Sequence, residues 1–415
     1  MLSRKATDSR RPIPTAVLIG LSAAFLFCGY EFIRSTANTL FKQNYGKEGL
    51  PYVMAAMPLG VLLMLYGYGR CLSRFGPRRT LLITSLLSGA AIFICYALIR
   101  AEVRLASAVL YIVREAYVVL ITEQLWSYLN SRLSTERART LNGPICAVGS
   151  IGAILGAEAL AAWSQSLGTA TMLIFGSAAI LPAVFFAMLA YRFCGEPPPE
   201  ANVEQRSDTL GVRLFARNGM LLLLLLIVIT TQVISSVTDL AFQGKLQDAI
   251  PNADEQNAYS GRFFSALNQY ALVAQLVLTP LLLRFLPHWL VLVLLPLANV
   301  AACVYSWAAP SLFSYGLAYQ TFKVIDYSVF RGAKELLYIP LSFDVRFRAK
   351  ELIDVWGYRF SKGATSASIA LLSYLQWIVQ SAALFSGIGT AAAFVWLALT
   401  PLLVKRSGEN SSHKN

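Results

Sequence analysis

Twelve long apolar stretches follow one another along this 415-residue chain, with short polar turns between them. A stretch of about 18 to 23 apolar residues can cross the hydrocarbon core of a bilayer as an α-helix. The chain is 56% hydrophobic and 14% charged, which is more apolar surface than a soluble shell could cover. The sequence therefore predicts an all-α polytopic membrane protein with about twelve transmembrane helices. The windows lie near 13–33, 52–69, 81–99, 106–128, 144–163, 169–191, 219–238, 263–283, 287–308, 311–331, 362–381 and 383–404, and the fourth, tenth and eleventh are the most polar.

Lys and Arg residues gather in alternate turns between these windows. The positive-inside rule places such turns in the cytosol, and the turns near 164–167, 308–310 and 380–381 carry no Lys or Arg. We therefore expect an even number of spans with both termini cytosolic. The formal charge is +13, but the Lys and Arg residues are spread between the apolar windows and are not concentrated on one soluble face. This distribution argues against a nucleic-acid partner. The basic turns contain Arg70, Arg74, Arg78 and Arg79; Arg132, Arg137 and Arg139; Arg192, Arg206, Arg213 and Arg217; and Arg346, Arg348 and Lys350.

A polar break divides the chain near its middle. Three consecutive prolines, Pro197 to Pro199, are followed by mixed charges, a composition typical of a flexible connection. Six windows precede the break and six follow it, which is the layout of the major facilitator architecture. The expected segments are a cytosolic N-terminal tail (1–12), an N-terminal six-helix bundle (13–193), a cytosolic linker (194–218), a C-terminal six-helix bundle (219–404) and a cytosolic tail (405–415).

The turn between the second and third windows reads GRCLSRFGPRR at residues 69–79. It resembles the cytoplasmic loop G-x-x-x-D-R-x-G-R-R of the major facilitator superfamily, with Ser73 in the place of the Asp. A basic turn that simply obeys the positive-inside rule is the alternative interpretation.

Several charged residues lie inside the apolar windows. A charge at the bilayer centre costs at least about 2.5 kcal/mol, so it usually faces a partner or a hydrated cavity. Glu31 and Arg34 are three residues apart and can form an ion pair on one helical face, either as a functional group or as a self-neutralising pair near the outer interface. Glu123 is either a functional carboxylate or a residue near the cytosolic end of its helix that extends to water. The charges are Glu31 and Arg34 in the first predicted helix, Arg114, Glu115 and Glu123 in the fourth, and Asp239 at the end of the seventh.

The densest polar group is the segment KVIDYSVFRGAKE, which begins at Lys323. On a helix, Lys323 and Asp326 share a face, Tyr327 and Arg331 are four residues apart, and Lys334 returns to the side of Lys323. Such a stripe suits an anionic substrate with a π face, because ammonium groups bind phosphate or carboxylate and Tyr can stack. The alternative is a cytosolic helix end whose last charges extend to water.

Patterns of catalytic and metal sites are absent from the sequence. There is no H-E-x-x-H and no G-x-S-x-G, and the two histidines, His288 and His413, are far apart. The six cysteines are widely spaced and lie mostly in apolar runs, so we expect them to pack rather than to bind metal. The sequence therefore predicts a protein that is not an enzyme, with no metal and no cofactor.

The segment that begins at Lys323 continues after Glu335 as LLYIPL, and together they carry a family resemblance. The chain resembles the nucleotide transporters, or ATP/ADP translocases, of plastids and intracellular bacteria, of which it would be a divergent member. The resemblance implies a twelve-helix carrier of major facilitator type that exchanges or imports nucleotides across the inner (plasma) membrane of a bacterium. Further similar segments lie at 30–36, 136–139, 237–243, 259–265, 349–354 and 361–363.

The chain departs from that family at positions that matter for a phosphate group. The family's first-helix pattern R-D-T-K-D appears here as RSTAN at 34–38, so Ala37 stands where a lysine would. Asp239 and Gln243 stand where the family has a Glu and a Lys. Two cations expected at a triphosphate site are therefore missing, and a desolvated triphosphate needs several positive partners.

These observations predict a secondary-active transporter that carries a nucleotide or nucleotide-like organic anion. We expect it to be a monomer in the lipid bilayer. The alternative is a proton-coupled permease for another solute, such as an iron chelate or siderophore, a peptide or a cell-wall fragment. The substrate-binding candidates are Arg34, Lys323, Tyr327, Lys334 and Lys362, and the coupling or orienting candidates are Glu31, Glu123, Asp239 and Asp326.

Overall fold

The computed structural model describes residues 12–133, 135–196, 218–338 and 352–412, together with positions 215, 341, 345, 349 and 350. All regular secondary structure in these parts of the chain is helical. The helices are α1 (Pro12–Tyr45), α2 (Leu50–Arg100), α3 (Leu105–Arg132), α4 (Thr135–Leu167), α5 (Met172–Cys194), α6 (Gly219–Ala249), α7 (Ala253–Val273), α8 (Thr279–Phe285), α9 (His288–Ala308), α10 (Leu312–Ile325), α11 (Arg331–Tyr338), α12 (Ser361–Tyr374) and α13 (Ala382–Ser412). π-helical turns at Ala274–Leu278, Asp326–Phe330 and Ile353–Phe360 lead into α8, α11 and α12.

Nine helical segments of the described chain are long and apolar enough to cross a membrane. One of them, Lys47–Arg100, has 54 residues and includes both the second and the third predicted windows. It changes direction at Gly76, whose φ of 73° and ψ of 172° lie outside the helical region and suit a residue without a Cβ. The two predicted spans are thus the two arms of α2. The expectation of an all-α polytopic membrane protein is confirmed.

The tenth and eleventh predicted windows are not among these apolar segments. Window 311–331 is divided, because α10 ends at Ile325 and the π-turn Asp326–Phe330 follows. Window 362–381 is helical only as far as Tyr374, after which Gln376 takes a φ of 57°. Both windows are among the most polar of the twelve, because 311–331 contains Lys323, Asp326 and Arg331, and 362–381 is rich in Ser, Thr and Gln.

Asp239 does not lie at a helix end, as the seventh window predicted. It lies within α6, which continues for three more turns to Ala249. The window ended too early because the last part of α6 contains polar residues, which a hydropathy pattern assigns to a loop. Helical hydrogen bonds continue regardless of hydropathy, since each N–H still finds a carbonyl four residues back.

The described residues form two compact units. The first contains residues 12–44, 59–196 and 252–269, and the second contains 45–58, 218–251 and the described residues among 270–412. The division into a 13–193 bundle and a 219–404 bundle stays a prediction. The predicted N-terminal tail (1–12) and the linker (194–218) lie largely outside the described residues, as do Arg206, Arg213, Arg217, Arg346 and Arg348 of the basic turns. The predicted C-terminal tail (405–415) is helical as far as Ser412, because α13 continues beyond position 404.

In the first unit, α4 packs closely against α1 through a ridge of small residues. A Cβ atom added to Gly152 would lie 2.5 Å from the Cα of Ala24, and one added to Gly156 would lie 2.7 Å from the Cα of Cys28. Only a residue without a side chain fits at such a distance. Gly261 brings α7 equally close to α4, where a Cβ would lie 2.7 Å from the backbone nitrogen of Ala161.

In the second unit, α6 is the central helix and packs against α10, α12 and α13, while α13 also packs against α9. The first part of its inward face is aliphatic, and Leu221, Leu224 and Val228 are all fully buried, whereas the buried residues from Thr231 onward include several polar ones. Aromatic pairs join the neighbouring helices, since the rings of Phe330 and Trp396 meet edge to face with centroids 5.3 Å apart. This packing holds the polar part of α10 in place against α6.

Candidate functional site

The first unit holds a group of charged and polar side chains that we call the α1 cluster. It consists of Glu31, Arg34 and Asn38 on α1, Arg114 and Glu115 on α3, and Asn268 on α7. Glu31 and Arg34 form the ion pair that their spacing predicts. Glu31 is only 2% exposed, and its carboxylate also accepts a hydrogen bond of 3.0 Å from Nδ2 of Asn268.

An aromatic ring covers the guanidinium group of Arg34. The central carbon of this guanidinium group lies 3.6 Å from the ring centroid of Phe264 on α7 and 5.4 Å from that of Tyr30. The side chain of Arg34 is 13% exposed. A guanidinium group in these surroundings is screened little by water, so a cation–π contact and an ion pair are both stronger than on a surface.

Arg114 links α3 to α1 and, like Asn38, Glu115 and Asn268, is not among the site residues predicted from the sequence. One of its guanidinium nitrogens donates to the backbone carbonyl of Arg34 at 2.9 Å and to Oδ1 of Asn38 at 2.6 Å. The guanidinium carbon also lies 3.7 Å from the ring centroid of Tyr111. Its position in the middle of an apolar window was the signal that could have identified it, because such a charge needs a partner.

The two carboxylates of α3, Glu115 and Glu123, have different surroundings. Glu115 belongs to the α1 cluster, where it lies 3.5 Å from Nε of Arg114 and accepts a hydrogen bond of 3.5 Å from the hydroxyl of Tyr30. Glu123, two turns further on, is exposed. With two guanidinium groups and two carboxylates, the α1 cluster is formally neutral.

In the second unit, the ammonium group of Lys323 lies among aromatic rings. Its Nζ is 5.8 Å from the ring centroid of Tyr319, 5.7 Å from that of Phe322 and 5.3 Å from that of Tyr327. It also donates a hydrogen bond of 3.0 Å to Oγ of Ser235 on α6. We call Lys323, Tyr319, Phe322, Tyr327 and Ser235 the Lys323 site.

The polar stripe predicted around Lys323 is present over its first part. Arg331 is exposed, and its guanidinium carbon lies 5.3 Å from the ring centroid of Tyr327, so this ring contacts both cations. Lys334, in contrast, is 5% exposed and lies with its Nζ 3.4 Å from the hydroxyl of Tyr358 and 4.6 Å from that ring centroid. The π-turn between Lys323 and Lys334 adds residues to one turn and so rotates the later positions away from a 3.6-residue pattern.

The remaining predicted residues are acids and a lysine in different settings. Asp326 is 5% exposed, and its Oδ1 accepts no hydrogen bond from the described residues. Asp239 is half-buried within α6, and Lys362 is half-buried in the first turn of α12. Glu335 forms a surface ion pair of 2.7 Å with Lys350, which fits the alternative in which the end of the stripe simply extends to water.

No family model matches the sequence, and no curated protein matches it. Solved structures match almost its whole length. A mutant of the nucleoside transporter NupG aligns with a TM-score of 0.69 and 12% identity over 93% of this chain and 99% of its own. A D-xylose–proton symporter aligns with a TM-score of 0.63 and 11% identity over 92% of this chain and 96% of its own. The chain has the fold of the major facilitator transporters.

A third match agrees with this fold. An auto-inhibited peptide transporter of the POT family aligns with a TM-score of 0.62 and 12% identity over 98% of this chain and 97% of its own. At identities this low, the match establishes how the helices are arranged and connected. The solute that this chain handles has to be argued from its own residues.

Proposed function

We propose that this protein is a secondary-active transporter that carries a nucleotide or nucleotide-like organic anion across a membrane. Transport is supported by the fold, since the matching structures are named for the transport of nucleosides, peptides and D-xylose. Their solutes differ widely. The fold therefore supports transport in general, and the solute specificity depends on the side chains.

The observation that carries the proposal is the Lys323 site. An ammonium group on a membrane helix is costly, and a bound anion offsets part of that cost. The ring of Tyr327 beside it offers a face on which a purine or nicotinamide base can stack, while the ammonium group binds phosphate. We assign Arg34, Lys323, Lys334 and Lys362 to anion binding, and Glu31, Glu123, Asp239 and Asp326 to coupling or orientation.

Proteoliposomes that contain the purified protein test this proposal. Uptake and counterflow of radiolabelled ATP, ADP and NAD are measured for the wild type, for Lys323→Gln and for Lys405→Gln. Lys405 is an exposed lysine near the end of α13, so its substitution removes the same charge away from the Lys323 site. We expect transport of at least one compound by the wild type and Lys405→Gln, and a loss of at least tenfold in Lys323→Gln. Transport of none of the three would overturn the nucleotide assignment.

A proton-coupled permease for another organic solute is the second candidate. Asp326 favours it, because it is a buried acid whose Oδ1 accepts no hydrogen bond from the described residues, and ionisable residues inside membrane helices often mark proton pathways. Because the α1 cluster is formally neutral, it also offers less positive charge for binding a polyanion. A pH gradient that drives uptake of a siderophore or peptide, with no nucleotide counterflow, would establish this candidate.

We also propose that the protein lies in a bacterial inner membrane as a monomer of two six-helix bundles, with both termini cytosolic. The arginine-rich turns support this orientation, because Arg70, Arg74, Arg78 and Arg79 are all on one side of the second and third spans. Reporter fusions at each terminus, active only in one compartment, test it. Activity of a periplasmic reporter at either terminus would reverse the assignment.

A further inference from the structure

The outer face of α2 changes from aliphatic to cationic along one line. Leu59 and Leu63 are 70% and 72% exposed, and Tyr66, the next residue along the line, is 61% exposed. Arg70 and Arg74 follow at intervals of four residues and are also exposed. Residues three or four apart lie above one another on a helix, so these five side chains form one continuous stripe.

A groove lies beside the cationic end of this stripe. It has a volume of about 550 Å³ and is lined by Leu65, Tyr66, Gly69, Arg70, Ser73 and Arg74. Gly69 keeps its floor open, since a Cβ added there would meet no atom within 4 Å. The hydroxyl of Ser73 donates to the carbonyl of Gly69 at 3.0 Å, so it is directed back to the helix.

The two arginines of the groove are held by aromatic rings and not by acids. The guanidinium carbon of Arg70 lies 3.7 Å from the ring centroid of Tyr66, and that of Arg74 lies 5.5 Å from the ring centroid of Phe75. Neither arginine has a carboxylate partner in the part of the chain that the structure describes. Ser73 stands where the similar loop of the superfamily has an acid, so two positive charges here remain unneutralised.

We propose that this groove binds the headgroup of an anionic phospholipid. Arg70 and Arg74 hold its phosphate, Tyr66 lies at the level of the glycerol group, and Leu59 and Leu63 contact the acyl chains. The order of aliphatic, tyrosine and arginine side chains along α2 is the order of chain, interface and phosphate through one leaflet of a bilayer. Delocalised guanidinium groups also match the geometry of a phosphate better than ammonium groups do. This inference does not depend on which solute is transported.

Native mass spectrometry of the full-length protein in detergent, titrated with phosphatidylglycerol or phosphatidylcholine, tests the proposal. The test variant is Arg70→Gln/Arg74→Gln, and the matched control is Arg100→Gln/Arg104→Gln, which removes two exposed charges at the far end of α2. We expect the wild type and the control to prefer phosphatidylglycerol. The test variant should bind it about thirtyfold more weakly, as expected for two arginines at an anionic surface.

Three outcomes would overturn the proposal: equal binding of the two lipids by the wild type, no change in the test variant, or an equal loss in the control. Displacement of the lipid by glycerol phosphate at similar concentrations would show a site for a free phosphate instead. If the test variant does not fold, Arg70→Lys/Arg74→Lys replaces it and should keep phosphatidylglycerol binding, with an affinity that falls as NaCl rises. Binding that is insensitive to NaCl would also contradict the proposal.

Discussion

Arg114 donates a hydrogen bond of 2.9 Å to the backbone carbonyl oxygen of Arg34. The same side chain reaches Asn38, one turn further along α1, so a single guanidinium group on α3 spans a helical turn of its neighbour. Arg34 is a candidate anion-binding residue, and its backbone is therefore positioned from another helix. Because Arg114 itself is 4% exposed, little water is available to replace these contacts.

Arg114→Gln should destabilise the protein by about 3 kcal/mol, since it leaves the half-buried Glu115 and the buried Asn38 without their cationic partner. Substrate affinity should fall as well, because the backbone of Arg34 loses its support. Thermal unfolding in detergent measures the first effect and proteoliposome uptake the second. Arg104→Gln, an exposed change at the start of the same helix, is the control and should have little effect. Equal stability of the two variants would contradict this role of Arg114.

Gly152→Ala should reduce stability by roughly 1 to 3 kcal/mol, because its new methyl group would overlap the backbone of Ala24 on α1. Gly143→Ala is a control on the same helix, since a Cβ there meets no atom within 4 Å. That change should have little effect on stability, because the better helix propensity of Ala is offset by the restriction that Pro144 places on the residue before it. Thermal unfolding of both variants in one detergent makes the comparison. A stable Gly152→Ala would show that α1 can move away from α4 without cost.

Lys323→Gln and Ser235→Ala separate the charge of the Lys323 site from its hydrogen bond. Removal of the ammonium group should raise the KM for an anionic substrate at least tenfold, as expected for a hydrogen bond of about 1.5 to 3 kcal/mol to a charged group. Ser235→Ala keeps the charge and should change the KM only a few-fold. Concentration-dependent uptake measures both. A larger effect in Ser235→Ala would indicate that the lysine has a structural role.

In the proton-coupled alternative, Asp326→Asn should abolish the acceleration of uptake by a pH gradient while it leaves exchange without a gradient intact. An amide has the shape of the protonated carboxyl but cannot release a proton. Lys323 precedes Asp326 by one turn, and the π-turn Ala274–Leu278 that packs against this segment contains no titratable residue. Asp248→Asn, in a surface ion pair with Lys47, is the control. Persistent gradient-driven uptake in Asp326→Asn would exclude this residue from coupling.

Local patterns made much of this protein predictable. The repeated apolar windows were sufficient for a polytopic helical membrane protein, because a bilayer imposes the same length and polarity on every span. The ion pair of Glu31 and Arg34 was equally predictable, since a spacing of three residues brings two side chains together on any helix. The window boundary was too early at Asp239, where α6 continues through polar residues. Within window 311–331 the helix continues, but the π-turn Asp326–Phe330 changes its repeat.

The sequence by itself thus determined the class of structure, most of the spans and the contacts between residues close along one helix. Only the tertiary structure decided which side chains from different helices meet: Asn268 with Glu31, Arg114 with the backbone of Arg34, and Ser235 with Lys323. The physical reason is that helical periodicity fixes the directions of side chains within one helix. Contacts between helices depend instead on how closely residues such as Gly152 allow two backbones to pack.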